Sequence, residues 1–440
     1  MKILFTSLGC DKNLVDSEMM LGQLSEKGYS FTDDETQADI AVVNTCCFIK
    51  DAKEESIETI LEMAQLRKNG DIKALIVTGC LAQRYQEEIQ KEIPEVDAIL
   101  GISDIDRIVQ AIDEILKNEK KNHISDCNSA PVYGKKRIVT TGGHYAYMKI
   151  AEGCDKHCTY CIIPKVRGNF RSIPMESLLQ EARTLAEDGV RELILVAQET
   201  TLYGVDLYGK KTLPTLLEKL CEIEELKWIR LLYCYPEEIT DELIDMIKKQ
   251  PKICHYLDIP IQHASDSILK RMGRRTSEED LRNIVEKLRR EIPDICLRTT
   301  LITGFPGESQ EDHETLYRFV NEMEFDRLGV FTYSPEENTP AASMPDQIEE
   351  DIKEQRRDEL MELQQAIAFE KAEKMGGKRL ETVVEGYLPE DDVYVARSYM
   401  DAPGVDGYIF VYADRQLLSG DYIDVEVIDS REYDLIGNEV

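Results

Sequence analysis

Three cysteines in the run Gly153-Cys154-Asp155-Lys156-His157-Cys158-Thr159-Tyr160-Cys161 constrain this chain more than any other feature. The C-x3-C-x2-C spacing puts three soft thiolates on one loop, and such ligands favour zinc or iron–sulfur centres. A closed structural zinc site needs four protein ligands. The run supplies three. A zinc knuckle would have to borrow His157 or a distant residue, and it lacks the fourth cysteine of the usual zinc spacings. Three thiolates can also hold three irons of a 4Fe–4S cube and leave the fourth open to a ligand that is not protein.

The chain around this loop reads as alternating strands and helices, which implies α/β architecture with parallel sheets. In residues 1–117, apolar runs at Lys2–Ser7, Asp39–Asn44, Lys73–Thr78 and Val96–Leu100 alternate with helical stretches, predicting a doubly wound sheet. Cys10, the pair Cys46-Cys47, and Cys80 each lie just past one of the first three strands. Ligands of open α/β sheets bind beyond the carboxyl ends of the strands, so these cysteines are placed to converge on a second three-thiolate site. Adjacent residues of an extended chain face opposite ways, so only one of Cys46 and Cys47 is expected to join it. The competing reading is that they are small core residues.

Residues 118–139 lack apolar periodicity and read as a linker. From 140 to 372 six more strands are predicted, at Tyr145–Ile150, Glu192–Ala197, Trp228–Leu232, Tyr256–Ile259, Cys296–Thr303 and Leu328–Tyr333. This count suggests a partial (β/α) barrel whose chemistry sits at the C-terminal strand ends. Cys154, Cys158 and Cys161 follow the first of these strands. Gln198 and Glu199, Gln262 and His263, and Gly304, Pro306 and Gly307 follow later ones. The glycines would allow a ligand close to the backbone. His263 could equally be a structural residue, and Arg167 and Arg171 either line the site or form plain ion pairs. From 373 to 440, short alternating segments after a long helix (Ile352–Met375) predict a small antiparallel barrel.

The net charge of −32 argues against a generally basic nucleic-acid surface. No apolar run reaches the ~20 residues of a membrane helix. The first residues enter a strand rather than a signal peptide. Twelve cysteines without an export signal point to a reducing, cytoplasmic setting and to metal ligation rather than disulfides.

The motifs then converge on one resemblance. Ser7-Leu8-Gly9-Cys10-Asp11-Lys12-Asn13, Val43-Asn44-Thr45-Cys46 and Thr78-Gly79-Cys80, with the Cys154 loop, resemble the methylthiotransferases of the radical S-adenosylmethionine (SAM) superfamily. The resemblance covers essentially the whole chain and ends in a TRAM domain. It implies two 4Fe–4S clusters, one on Cys154, Cys158 and Cys161 that binds and cleaves SAM, and an auxiliary one on Cys10, Cys46 and Cys80. The family usually has Gly where this chain has Cys47, and often Pro where it has Asp11. The resemblance also implies SAM contacts at Ile163 and Pro164 and at the later strand ends, and a flavodoxin or ferredoxin as reductant.

The closing stretch Asp429–Gly437 resembles the branch that modifies an aspartate β-carbon of small-subunit ribosomal protein S-twelve. From Gly377 onward carboxylates outnumber Lys and Arg about three to one, which suits a basic protein and argues against direct RNA binding by this domain. The alternatives are a tRNA methylthiotransferase acting on a modified adenosine, and a non-catalytic iron–sulfur scaffold.

Overall fold

Apolar, β-branched runs build the first sheet of the computed structural model, which describes all 440 residues. Strands β1 (Lys2–Ser7), β2 (Ser30–Thr32), β3 (Ile40–Thr45), β4 (Ala74–Thr78) and β5 (Ala98–Leu100) are all parallel, in the order β2-β1-β3-β4-β5. Alternate residues feed opposite faces. Ala41, Val43, Leu75 and Val77 pack under helix α2 (Lys50–Asn69) with Ile60 and Met63, whereas Ile40, Val42, Ala74 and Ile76 pack under helix α1 (Asp11–Glu26) with Val15, Met19 and Met20. The sheet is therefore doubly wound. Its strand order reverses between β1 and β3, the crevice where open α/β sheets place their ligands.

The segment after this sheet is more than a connection. His123 bridges to Leu100, and Arg137 pairs with Glu18 of α1 at 2.6 Å and with Glu181. The Thr140 backbone N–H donates to Glu18. The turn-rich sequence concealed this because the stitching depends on charged partners far away in the chain.

The central strands are β6 (Tyr145–Lys149), the short pair β7 (Ala151–Glu152) and β8 (Arg171–Ser172), then β9 (Glu192–Val196), β10 (Trp228–Leu231), β11 (Ile253–Asp258), β12 (Cys296–Thr303) and β13 (Arg327–Thr332). Six of them form one open parallel sheet, β6-β9-β10-β11-β12-β13. β7 and β8 pair separately, antiparallel, and flank the cysteine loop. The outer face carries the largest core, where Leu178, Leu216, Leu281 and Leu316 of the covering helices meet the strands. β11 begins three residues before the expected Tyr256, because Ile253 and Cys254 are buried and continue the strand.

The last five strands close a barrel: β14 (Arg379–Leu388), β15 (Val393–Ser398), β16 (Ile409–Tyr412), β17 (Tyr422–Arg431) and β18 (Asp434–Glu439). Four ladders are antiparallel and the β16–β18 ladder is parallel. β18 was not apparent from periodicity, since Asp434-Leu435-Ile436-Gly437-Asn438-Glu439 has no clean alternation; pairing on both sides makes it a strand.

This barrel is packed against the central sheet. Val383 and Ala402 join Ile194, Val196, Trp228 and Tyr256 in one apolar cluster. Glu192, Arg230 and Arg397 form a fully buried triad across the seam, with 2.7 Å from Arg230 Nε and from Arg397 Nη2 to the Glu192 carboxylate.

Candidate functional site

The auxiliary trio is assembled by its own motif residues. Cys10 is the N-cap of α1, whose positive end favours a thiolate. The Asn13 side chain donates to the Leu8 and Thr45 carbonyls, both at 3.0 Å, and Asn44 donates to the Asn13 carbonyl at 2.9 Å. Thr45 Oγ1 donates to the Thr78 carbonyl and accepts from the Ala82 N–H. Ser56 Oγ both donates to the Cys46 carbonyl and accepts from its N–H. These bonds tie together the loops after β1, β3 and β4. Gly9 has φ +91°, and a Cβ there would lie 2.7 Å from Cys46 Cβ, so only glycine lets the Cys10 loop rest against Cys46.

The adjacent cysteines have different neighbours. Cys46 feels Cys10 and Arg167, whereas Cys47 feels Arg84 and Glu336; both also feel Cys80. Burial pushes the Cys47 thiol up to about 11 despite the pull of Arg84. Burial also drives the Cys80 thiol far up, against the opposing pull of Arg167, whose Nε donates to its sulfur at 3.2 Å.

The second trio follows β7. The Cys154 N–H donates to the Gly168 carbonyl and that of Thr159 to the Met272 carbonyl, while Thr159 Oγ1 donates to the Arg271 carbonyl. The loop is strained: His157 has φ +51°. Tyr233 (+60°) and Gln262 (+71°) depart similarly at the ends of neighbouring strands. Strain of this kind in bulky residues collects at functional sites. Burial pushes the Cys154 thiol up to about 12 and raises that of Cys161 strongly. Thiols this desolvated deprotonate when a metal supplies the positive charge. No three His, Cys, Asp or Glu side chains close around a point that one ion would fill. By donor chemistry, a cube takes one thiolate on each of three irons, which is the set this loop offers, whereas a closed zinc site needs a fourth protein ligand.

The other rim residues divide. Gln198 donates to Glu152 at 3.1 Å, and its Oε1 is buried without a partner. Glu199 is fully buried beside Lys156, with its carboxyl raised to about 7 by burial. Its Oε2 is likewise unpartnered, so both residues carry orphaned acceptors beside the cysteine loop. Ile163 and Pro164 open a short helix directly after Cys161 and are half-buried.

Most of the remaining candidates are taken up by the protein itself. His263 is fully buried, its Nδ1 accepting from the Ser265 N–H at 2.9 Å, while its Nε2 lies 3.7 Å from Glu308 and has no hydrogen-bond partner. Gly304 owes its lack of a side chain to Lys353, whose Cγ would lie 2.1 Å from a Cβ. A Cβ on Gly307 would meet the Arg271 guanidinium at 2.6 Å. The Thr303–Glu308 turn, with Pro306 buried in it, is braced by Glu308, which accepts from the Phe305 N–H and from Arg356. Close backbone approach occurs here, but to side chains of this chain. Arg171 clamps its own loop through the carbonyls of Asn169 and Arg167.

Several charged residues at the heart of the site were not singled out from sequence. Lys149 and Glu152 flank the end of β6, and Asp16 lies on α1; all three are buried, and Lys149 pairs with both carboxylates. Lys12 lies 3.2 Å from the centre of the Tyr233 ring and pairs with Asp11 at 2.9 Å. The available signal was charge inside an apolar run, as in Met148-Lys149-Ile150-Ala151-Glu152.

Three family models match the chain in succession: the uncharacterized protein family UPF0004 over residues 2–101, the radical SAM superfamily over 148–320 and a TRAM domain over 377–440. A protein of Lachnoclostridium phytofermentans named ribosomal protein uS12 methylthiotransferase RimO is 63% identical over 437 residues, spanning 99% of each chain. The protein of that name from Clostridioides difficile is 50% identical, over 100% of this chain and 98% of its own. Among solved structures, the radical SAM methyltransferase TsrM of Kitasatospora setae, with cobalamin and a 4Fe–4S cluster bound, has a TM-score of 0.56 at 12% identity. It covers 86% of this chain and 80% of its own, a likeness of fold alone.

Proposed function

The chain belongs to the RimO family of radical SAM methylthiotransferases, and on that premise we propose that it places a methylthio group on the β-carbon of an aspartate of small-subunit ribosomal protein uS12. One observation supports this reading above the others. The Cys80 loop is tied to the strand that leads into the Cys154 loop: Arg167 donates to Cys80 Sγ and to Glu152, two residues before Cys154, and Gln198 donates to Glu152 as well. A scaffold has no need to bring two incompletely ligated centres together.

Cys154, Cys158 and Cys161 would hold the cluster that, with SAM bound, supplies the radical able to remove an unactivated hydrogen, and Cys10, Cys46 and Cys80 the centre that presents the sulfur. The chain's own residues do the rest. Asn13, Asn44 and Thr45 hold the auxiliary loops in register. Tyr160 and Tyr235 wall the SAM-side loop, with Tyr235 Oη 3.8 Å from Cys158 Sγ. Gln198 and Glu199 offer free acceptors to a polar ligand. The electron would come from a flavodoxin or ferredoxin.

The C-terminal barrel's surface favours a basic protein over tRNA. Glu390, Asp391 and Asp392 form an exposed acidic turn between β14 and β15. Arg397 is buried in ion pairs, and Arg415 is held by Glu439, so few cations are free to meet phosphates. The test is mass spectrometry of uS12 and of bulk tRNA from cells with and without this gene. A methylthio group lost from the uS12 aspartate is expected; loss from tRNA instead would move the chain to the tRNA-modifying branch.

A further inference from the structure

Arg167 is 1% exposed and lies six residues beyond Cys161. A guanidinium so deep must have its donors matched, because an uncompensated buried charge costs several kcal/mol. Its partners come from both sheets. Nε donates to Cys80 Sγ at 3.2 Å. Nη1 donates to the two Glu152 oxygens at 2.9 and 3.0 Å and reaches Asp16 at 3.3 Å. Nη2 also reaches Asp16 at 3.3 Å and donates to the Asn13 side-chain oxygen. Lys149 completes the cluster, donating to Glu152 at 2.7 Å and to Asp16.

Two cations and two carboxylates cancel here, so the sulfur is the acceptor left for the guanidinium's third edge. Lysine could serve the carboxylates. Only a planar fork serves carboxylates and a sulfur at once. Hydrogen bonds to cysteine sulfurs and nearby positive charge favour the reduced, more electron-rich state of an iron–sulfur centre.

We propose that Arg167 is a positioning residue of the auxiliary centre: its Nε–H···Sγ bond to Cys80 raises that centre's reduction potential, while its other donors fix the sulfur against Glu152, on the strand that leads into Cys154. This rests on the reading above that Cys10, Cys46 and Cys80 hold an iron–sulfur centre.

The test uses the full chain with Cys154, Cys158 and Cys161 replaced by alanine, reconstituted with iron and sulfide so that only the auxiliary centre can form. Redox titration followed by electron paramagnetic resonance is compared with the same chain carrying Arg167→Gln or Arg167→Lys. The parent is expected to bind one cluster's iron. At fixed potential, Arg167→Gln should lower the ratio of reduced to oxidised centre about tenfold, which is about 59 mV for a one-electron couple. Arg167→Lys keeps the charge but cannot serve Glu152 and Cys80 together, and should shift the ratio in the same direction by less. Equal potentials in variants that retain iron would overturn the proposal. If Arg167→Gln fails to fold, the lysine variant decides alone. A parent that binds no iron would overturn the Cys10, Cys46 and Cys80 reading itself, a result distinct from a bound centre with an unmoved potential.

Discussion

Replacing Arg397 with methionine should loosen the C-terminal barrel from the central sheet. Arg397 is fully buried, with Nη2 2.7 Å from Glu192 across the seam, Nε on Glu385, and Nη1 donating to the Asp401 carbonyl at 3.1 Å. Methionine fills much of the same volume, so the loss is chiefly electrostatic. Glu192 keeps Arg230 but loses half its compensation, while Glu385 keeps only His144 at 3.2 Å. Breaking one partner of a buried pair costs about 3–5 kcal/mol. The middle of that range, about 4 kcal/mol, corresponds to roughly three powers of ten in the population of the undocked state.

Hydrogen exchange of the amides at 398–402 reads this, because their hydrogen bonds are made within residues 398–406 and this loop is held by Arg397 Nη1 and, across the seam, by Arg230, so its opening follows the loss of that support. Arg397→Met should speed their exchange about a thousandfold. Arg415→Met, which breaks the exposed pair with Glu439, should change it by less than about tenfold. Acceleration below tenfold in Arg397→Met would refute the argument. It would mean that the apolar seam of Val383 and Ala402 on Ile194, Val196 and Trp228 docks the barrel without help from the triad.

Cys154→Ala should abolish reductive SAM cleavage, whereas Cys80→Ala should leave cleavage largely intact, halve the bound iron and stop methylthio transfer; normal transfer by Cys80→Ala would sink the two-centre reading. Cys46→Ala should lose the auxiliary iron and Cys47→Ala keep it, since Cys46 packs against the Cys10 loop at Gly9 and Cys47 lies beside Arg84; iron analysis of the two variants decides. Burial lowers His263 to about 3, so the folded state resists its protonation. The stability this residue contributes is complete above its ordinary value of about 6.5 and falls by about 1.4 kcal/mol for each pH unit below that, down toward 3. Urea titrations against pH should therefore show His263→Gln losing less stability in acid than the parent, and parallel curves would contradict the assignment.

Features that depend on neighbours along the chain could be read from the residues in order. Strand β12 is legible as Cys296–Thr303 because apolar periodicity is local, and the C-x3-C-x2-C loop because its ligands are adjacent. The placement of Cys10, Cys46 and Cys80 just past three parallel strands of one sheet was legible too, since each strand is a local apolar run. Features that depend on partners brought from far away emerge only in the folded chain. β2 has three residues and owes its existence to pairing with β1, and β18 to pairing with β16 and β17. Gly304 of the Thr303–Glu308 turn answers to Lys353, far along the chain in another element. Arg167 finds Cys80, Asp16 and Glu152 only once two sheets are docked, and Glu192 finds Arg397 only once the barrel has closed. Buried charges leave no periodic trace in a sequence. Their stability comes from long-range pairing in a low-dielectric interior, and that pairing exists only in the folded molecule.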